Sequence, residues 1–408
     1  VLTRVVLPWR YRAADFVYRC AEAVGVSPLK LRPEGLIRRA EKLVPGERVD
    51  VEAVREPLAI LCNSMEDDVQ LQIFGRRTAR HAVLQALVAR MRLAKMRRER
   101  PEIFDTPLND PVIVVGLARS GTTFLHRLLS AAPEARGFAA WELREPIPGE
   151  VDHRREREEA AFQWMNKHAQ AMQTIHYSSP DTASECYPLL NPSLVSPGFA
   201  IPWRCASYMH WLTEQDLSQS YAYYRSFLQL LQSENPDRRL TMKSPAHLPF
   251  LEELVNATPE AKIVYIHRPP EETISSAASL SLASGSMVSR RFDPPRSAAV
   301  AIQIAEFSLE RAARARESLG KRLSICDVEY EDLRRSPVET IAEIHRVHDL
   351  PWTEETRERV RSFAEENPQH KRGRHRHAPE DFGLTRAELA ERFSQYSERS
   401  APPRRATG

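Results

Sequence analysis

A chain of 408 residues with 42% hydrophobic side chains can bury one large core or two smaller ones, and a net charge of +3 is too small at this length to mark a nucleic-acid binder. Its five cysteines are widely spaced and include no CxxC pair, so neither a disulfide framework nor a zinc site is expected, and a reducing cytoplasm is the simplest setting. No apolar run approaches the ~20 residues of a membrane span, and Arg4, Arg10 and Arg12 break the apolar stretch near the N-terminus, so neither an integral membrane segment nor a signal peptide is predicted.

Residues 1–105 carry no convincing strand. Apolar residues recur at helical spacing instead, as in Val83, Leu87, Met91 and Ala94 on the basic stretch 76–100, which predicts an N-terminal helical region. Pro101 and Pro107 mark the passage into a second unit, 106–400. There strands and helices alternate. Strands are expected at 111–115, 239–242, 262–267 and 323–328, and helices at 122–131, 246–256, 270–283 and 337–348. The last has Ser336 as N-cap and Pro337 in its first turn. The fold class that follows is α/β: a P-loop-like three-layer fold with a mostly parallel central sheet. Residues 151–235 read as a helical insertion over one edge, 284–297 as a loop, and 401–408 as a disordered tail.

The densest chemistry lies in Gly116-Leu-Ala-Arg-Ser-Gly-Thr-Thr123, between the first expected strand and an apolar-periodic helix. A glycine-bounded turn at a helix N-terminus makes a nest of backbone N–H groups, which is a phosphate site. Ser120, Gly121, Thr122 and Thr123 offer hydroxyls and N–H groups, and Arg119 adds a fork of donors for a second anionic group. The spacing is that of a Walker loop, but Thr122 stands where a nucleotidase needs lysine, and the cation has moved to Arg119. That swap favours an anionic donor other than a nucleoside triphosphate. A second constellation, His267-Arg268-Pro269-Pro270 through Ser276, repeats the strand end and helix start; Arg268 with a helical serine can clamp another phosphate. Two anion sites on neighbouring strand ends imply a ligand with phosphates at both ends.

In these two pieces, and in Lys243-Ser-Pro-Ala-His-Leu248, Val328-Glu-Tyr-Glu-Asp-Leu333, Lys371-Arg-Gly-Arg-His375 and Asp381-Phe-Gly-Leu384, the chain resembles the PAPS-dependent sulfotransferases. The likeness is to the bacterial branch that shares its loop type with tyrosylprotein sulfotransferases, and it spans about residues 111–396. Pro269 replaces the Asp the family usually has after its His-Arg pair. The resemblance implies that PAPS is the donor and PAP the product, without a metal. Arg119 would contact the 5′-phosphate and sulfuryl group, Arg268 and Ser276 the 3′-phosphate, and Lys243 the bridging oxygen. Lys371, Arg372 and Gly373 would belong to a basic loop folded over the 3′-phosphate. The family places a glutamate about twenty residues after the loop arginine, which points to Glu142 as the base, delivered by a short strand Phe138–Trp141. His176, Asp181 and Glu185 compete for that role. The insertion 151–235 would cover the acceptor side, and a few of the aromatics between 199 and 227 could wall an apolar acceptor pocket, most being core.

Three functions are weighed on these residues. The first is transfer of a sulfuryl group to a hydroxyl of a small-molecule or lipid acceptor. The second is a P-loop-like small-molecule or nucleotide kinase, with Asp327 as its magnesium-binding acid; Thr122 opposes it. The third is a helical adaptor using the basic 76–100 stretch, which leaves both anion sites unexplained.

Overall fold

The computed structural model describes residues 4–368 and 377–400. Five strands form one sheet: β1 (Val112–Val115), β2 (Ala135–Arg136), β3 (Arg239–Lys243), β4 (Lys262–His267) and β5 (Ile325–Glu329). Their order is β2-β3-β1-β4-β5, and every pair is parallel. The strand interiors are β-branched and apolar because helices cover both faces. Val112, Val114, Val264, Ile266 and Val328 pack on one side with Leu125, Leu128, Ile341 and Ile344. Ile113, Val115, Met242, Ile263 and Tyr265 turn to the other side, into a larger core with Phe227, Ile274, Ala278 and Leu309. The fold is therefore the expected α/β sandwich, with β1 at its centre.

Four local expectations need correction. The two-residue β2 was too short to read as a strand. Phe138–Trp141 is not a strand: a one-turn helix, Ala140–Arg144, begins inside it. The helix expected at 246–256 is a 3₁₀ turn, Pro245–Phe250, followed by the helix Leu251–Ala257. The supposed loop 284–297 is mostly helical, since one helix runs Pro270–Val288 and the next, Pro294–Leu319, is capped by Asp293, whose carboxylate accepts from the Arg296 N–H at 2.9 Å. The turn between them needs little room because Gly285 lets the Phe292 ring lie flat against the helix; a Cβ there would stand 2.6 Å from the ring.

The N-terminal region is helical as expected, with helices Trp9–Ala23, Pro33–Leu43, Val51–Asp67, Ile73–Glu99 and Glu102–Asp105. The basic stretch 76–100 is not a free face. Val83, Leu87 and Met91 are buried in the main core, and Arg76, 4% exposed, pairs with Glu66 and with Glu22. The adaptor reading keeps only the exposed Arg77, Lys95, Arg97, Arg98 and Arg100, of which Lys95, Arg98 and Arg100 pair with neighbouring acids. Among the aromatics of 199–227, Phe199, Tyr208, Tyr221, Tyr224 and Phe227 are fully buried and serve the core. No helix of the described residues is long and apolar enough to cross a membrane.

Candidate active site

Parallel pairing brings the C-terminal ends of β1, β3, β4 and β5 to one edge, and ligands of such sheets bind off that edge. The loop after β1 turns through left-handed backbone at Arg119 (φ 72°) and at Gly121 (φ 99°), the N-cap of the helix Thr122–Leu129. Gly121 also lies against Tyr330, where a Cβ would come within 2.8 Å of the ring. The first N–H groups of this helix have no intrahelical partners, so they face the space beyond the sheet.

Arg119 is held from two sides. Its Nε donates to Ser276 Oγ at 3.0 Å, and its carbonyl accepts from Arg268 Nη1 at 3.2 Å. Arg268 donates to Glu272 at 3.0 Å and lies 4.2 Å over the Tyr330 ring. Burial and the nearby Arg268 both lower the Arg119 pKa, the mark of two guanidinium groups packed with too little negative charge between them. Lys243, 1% exposed at the end of β3, donates to Glu185 Oε1 at 2.8 Å and to Thr123 Oγ1 at 3.2 Å. The Cys186 N–H donates to the Lys243 carbonyl at 2.9 Å and pins the Glu185 segment to β3. Burial, the largest single influence, pushes the Glu185 carboxyl up, but Lys243, His176 and His126 together outweigh it and the carboxyl titrates below its usual range. Burial, with help from Lys243 and Arg119, pulls His176 down to about 4, so its ring is neutral at physiological pH.

Beyond these groups lies a cavity of about 570 Å³, with Lys243 outside its lining, behind Glu185. Arg119, Gly121, Thr122, Thr123, Arg268, His176 and Glu185 line it, with Phe124, Pro245, Leu280 and Tyr330 as apolar wall. Ser120 does not join them: it is buried, and its hydroxyl donates to the Leu117 carbonyl at 2.7 Å, bracing the loop. Ser276 sits behind Arg119 and orients it. Glu142 lies outside the cavity lining, where its two oxygens accept from Arg136 Nη2 at 2.6 Å and from the Ala139 N–H at 2.7 Å, capping its own helix. Asp181 pairs with Arg155 on the surface. Asp327 is also committed: Arg316 and His267 hold both its oxygens, and although burial raises its pKa, their hydrogen bonds bring it to about 2. Lys371, Arg372 and Gly373 lie outside the described residues. His377, at the end of that basic run, shares a hydrogen bond of 2.9 Å with Ser275 on the helix that also carries Ser276. Among the described residues, no group of three or more His, Cys, Asp or Glu side chains gathers as metal ligands. Tyr330 is the plate under Arg268 and Gly121, a part with no signature in sequence.

The positive φ at Arg119 supports a prediction. Glycine takes this conformation freely, whereas alanine does not. Arg119→Gly should therefore melt above Arg119→Ala, by roughly 1 kcal/mol of stability. Equal melting temperatures, read by calorimetry, would mean that the loop relaxes once the guanidinium is gone.

A parallel sheet bearing a cationic, glycine-bounded loop on its C-terminal edge is built to bind an anionic ligand. Residues 111–354 match the sulfotransferase family, and the chain belongs to it. Its fold is similar to that of sulfotransferase STF1 from Mycobacterium tuberculosis H37Rv, with a TM-score of 0.74 and 30% identity over 90% of this chain and 99% of that one. Sulfotransferase STF9 from Mycobacterium avium gives a TM-score of 0.77 and 25% identity, over 90% of this chain and 96% of its own. None of the curated proteins compared with the chain matches it.

Proposed function

We propose that the protein moves a sulfuryl group from PAPS to a hydroxyl of a small-molecule or lipid acceptor, by in-line displacement. The observation that carries this reading is the convergence of Arg119, Arg268, Arg334 and a helix N-terminus around one cavity in which Glu185, backed by the buried Lys243, is the one carboxylate among the described lining residues. So much positive potential suits a ligand with several anionic groups. The loop N–H groups and Arg119 would hold the 5′ end. Arg268, steadied on Tyr330, would hold the 3′-phosphate. PAPS supplies the activated sulfuryl group; the chain supplies positions and charges for it. Lys243 would offset negative charge on the leaving side.

The base is better placed at Glu185 than at Glu142. Glu185 lines the cavity and Lys243 keeps it ionised, whereas Glu142 spends both oxygens on Arg136 and a helix cap. A kinase would need a lysine at position 122 and a free acid at a strand end, yet Asp327 is fully engaged by Arg316 and His267.

Ligand-dependent melting tests the donor. PAP should stabilise the parent well beyond AMP, and ATP with Mg²⁺ should do little. Arg268→Ala should erase the preference for PAP over AMP. Stabilisation by ATP–Mg²⁺ without a response to PAP would overturn the sulfuryl-transfer reading, and an unchanged preference in Arg268→Ala would remove Arg268 from the 3′ site.

A further inference from the structure

The helix Trp9–Ala23 carries an apolar stripe that turns away from the protein. Trp9 is 75% exposed, Phe16 67%, Val17 66%, and Val24 at the C-cap 76%. Ala13 and Cys20 are exposed between them. At 3.6 residues per turn these six positions fall in one sector about 100° wide along a helix roughly 22 Å long. Val6, 69% exposed, extends the patch before the helix begins.

The charges on this helix are sorted. Its two acids face inward: Asp15 pairs with Arg290 and accepts from the Ile73 N–H at 2.9 Å, and Glu22 pairs with Arg76 and Arg290. Tyr18 is buried on the same side. The charges left outside are all arginines. Arg12 and Arg19 border the stripe on one side and Arg10 on the other, each of them exposed. The inward ion pairs lock the helix rotation, so the stripe cannot turn into the core.

From this arrangement the geometry points to a membrane-docking helix, which lays Trp9, Phe16, Val17 and Val24 into the interface of an anionic lipid bilayer while Arg10, Arg12 and Arg19 contact phosphate headgroups. An apolar sector bordered on both sides by cations, with the acids removed to the opposite face, is complementary to such a surface. It is poorly matched to a second copy of itself, because a two-fold contact would set arginine borders against each other with no acid on that face to answer them. This inference stands apart from the transfer chemistry and survives its failure.

Cosedimentation with vesicles tests it. The full chain should pellet with phosphatidylcholine vesicles that contain phosphatidylglycerol, and far less with phosphatidylcholine alone. The binding should weaken as salt rises. Phe16→Asp with Val17→Asp should abolish it. Arg10→Gln, Arg12→Gln and Arg19→Gln together should lower the partition coefficient by about 100-fold, at roughly a factor of five for each arginine. All five positions are exposed, so the variants should melt like the parent. Equal binding to neutral and anionic vesicles, or unchanged binding by either variant, overturns the proposal. A parent that is dimeric in solution, and that Phe16→Asp with Val17→Asp turns monomeric, overturns it too by giving the stripe to self-association.

Discussion

Lys243→Met is expected to lower kcat by roughly 10²–10³-fold, the range found when one preorganised donor is taken from a developing negative charge. The substitution keeps the length and apolar stem of the side chain but leaves nothing to oppose Glu185 at 2.8 Å. Two further effects should follow. Burial raises the Glu185 pKa, and Lys243 with His176 and His126 brings it below the usual carboxylate range; without Lys243 its main opponent is gone and the pKa rises. The acidic limb of the rate profile should therefore move to higher pH in the residual activity. Stability should fall by about 1–3 kcal/mol at neutral pH, since a partly buried carboxylate is left unpaired. The sign fixes the window. A carboxyl with a depressed folded pKa stabilises above its unfolded value, near 4.5, and loses that contribution as pH falls through the folded one. The melting difference between parent and variant should thus be largest at pH 7 and shrink as pH falls, first through the variant's raised carboxyl pKa and then through the parent's depressed one. A difference independent of pH would mean that the ion pair carries no stability.

Glu185→Gln tests the proton acceptor. The amide preserves shape, and its oxygen still accepts from Lys243, but it takes no proton. A fall in kcat of roughly 10²–10⁴-fold, with PAP affinity nearly unchanged, is expected. The pH profile alone does not separate Glu185 from His176, because Glu185 titrates below the ordinary carboxylate range and His176 at about 4. Substitution separates them. His176→Ala should lose much less activity, and Glu142→Gln should lose stability through its cap rather than turnover. Normal turnover in Glu185→Gln, with loss in either of the others, moves the base to that residue.

What could be read from sequence follows from how local the signals are. The β1 loop was legible because a β-branched run, a glycine-bounded turn and an apolar-periodic helix are all short-range features, and β4 was legible for the same reason. The path of Pro270–Val288 was not. Ser284, Gly285 and Ser286 look like a turn, but the helix continues because Gly285 receives the Phe292 ring, a contact made after the chain reverses. Distance along the chain from Arg119 points to Glu142. Local capping engages that side chain, since an N-terminal helix turn with a glutamate three residues in will bond it back to its own start. Glu185 had only its acidity to recommend it. Its partner, Lys243, comes 58 residues later and meets it through the β3 end.

The central place of β1 has a cost in time. It emerges from the ribosome more than 120 residues before β3, its first long neighbour, and β4 comes later still. At synthesis rates of about 5–20 residues per second, Val112–Val115 waits at least ~6–25 s with both edges unpaired. During that interval the most apolar strand of the sheet can pair with any other exposed edge, so the yield of active enzyme should depend on chaperones that cover the growing chain until Lys262–His267 arrives.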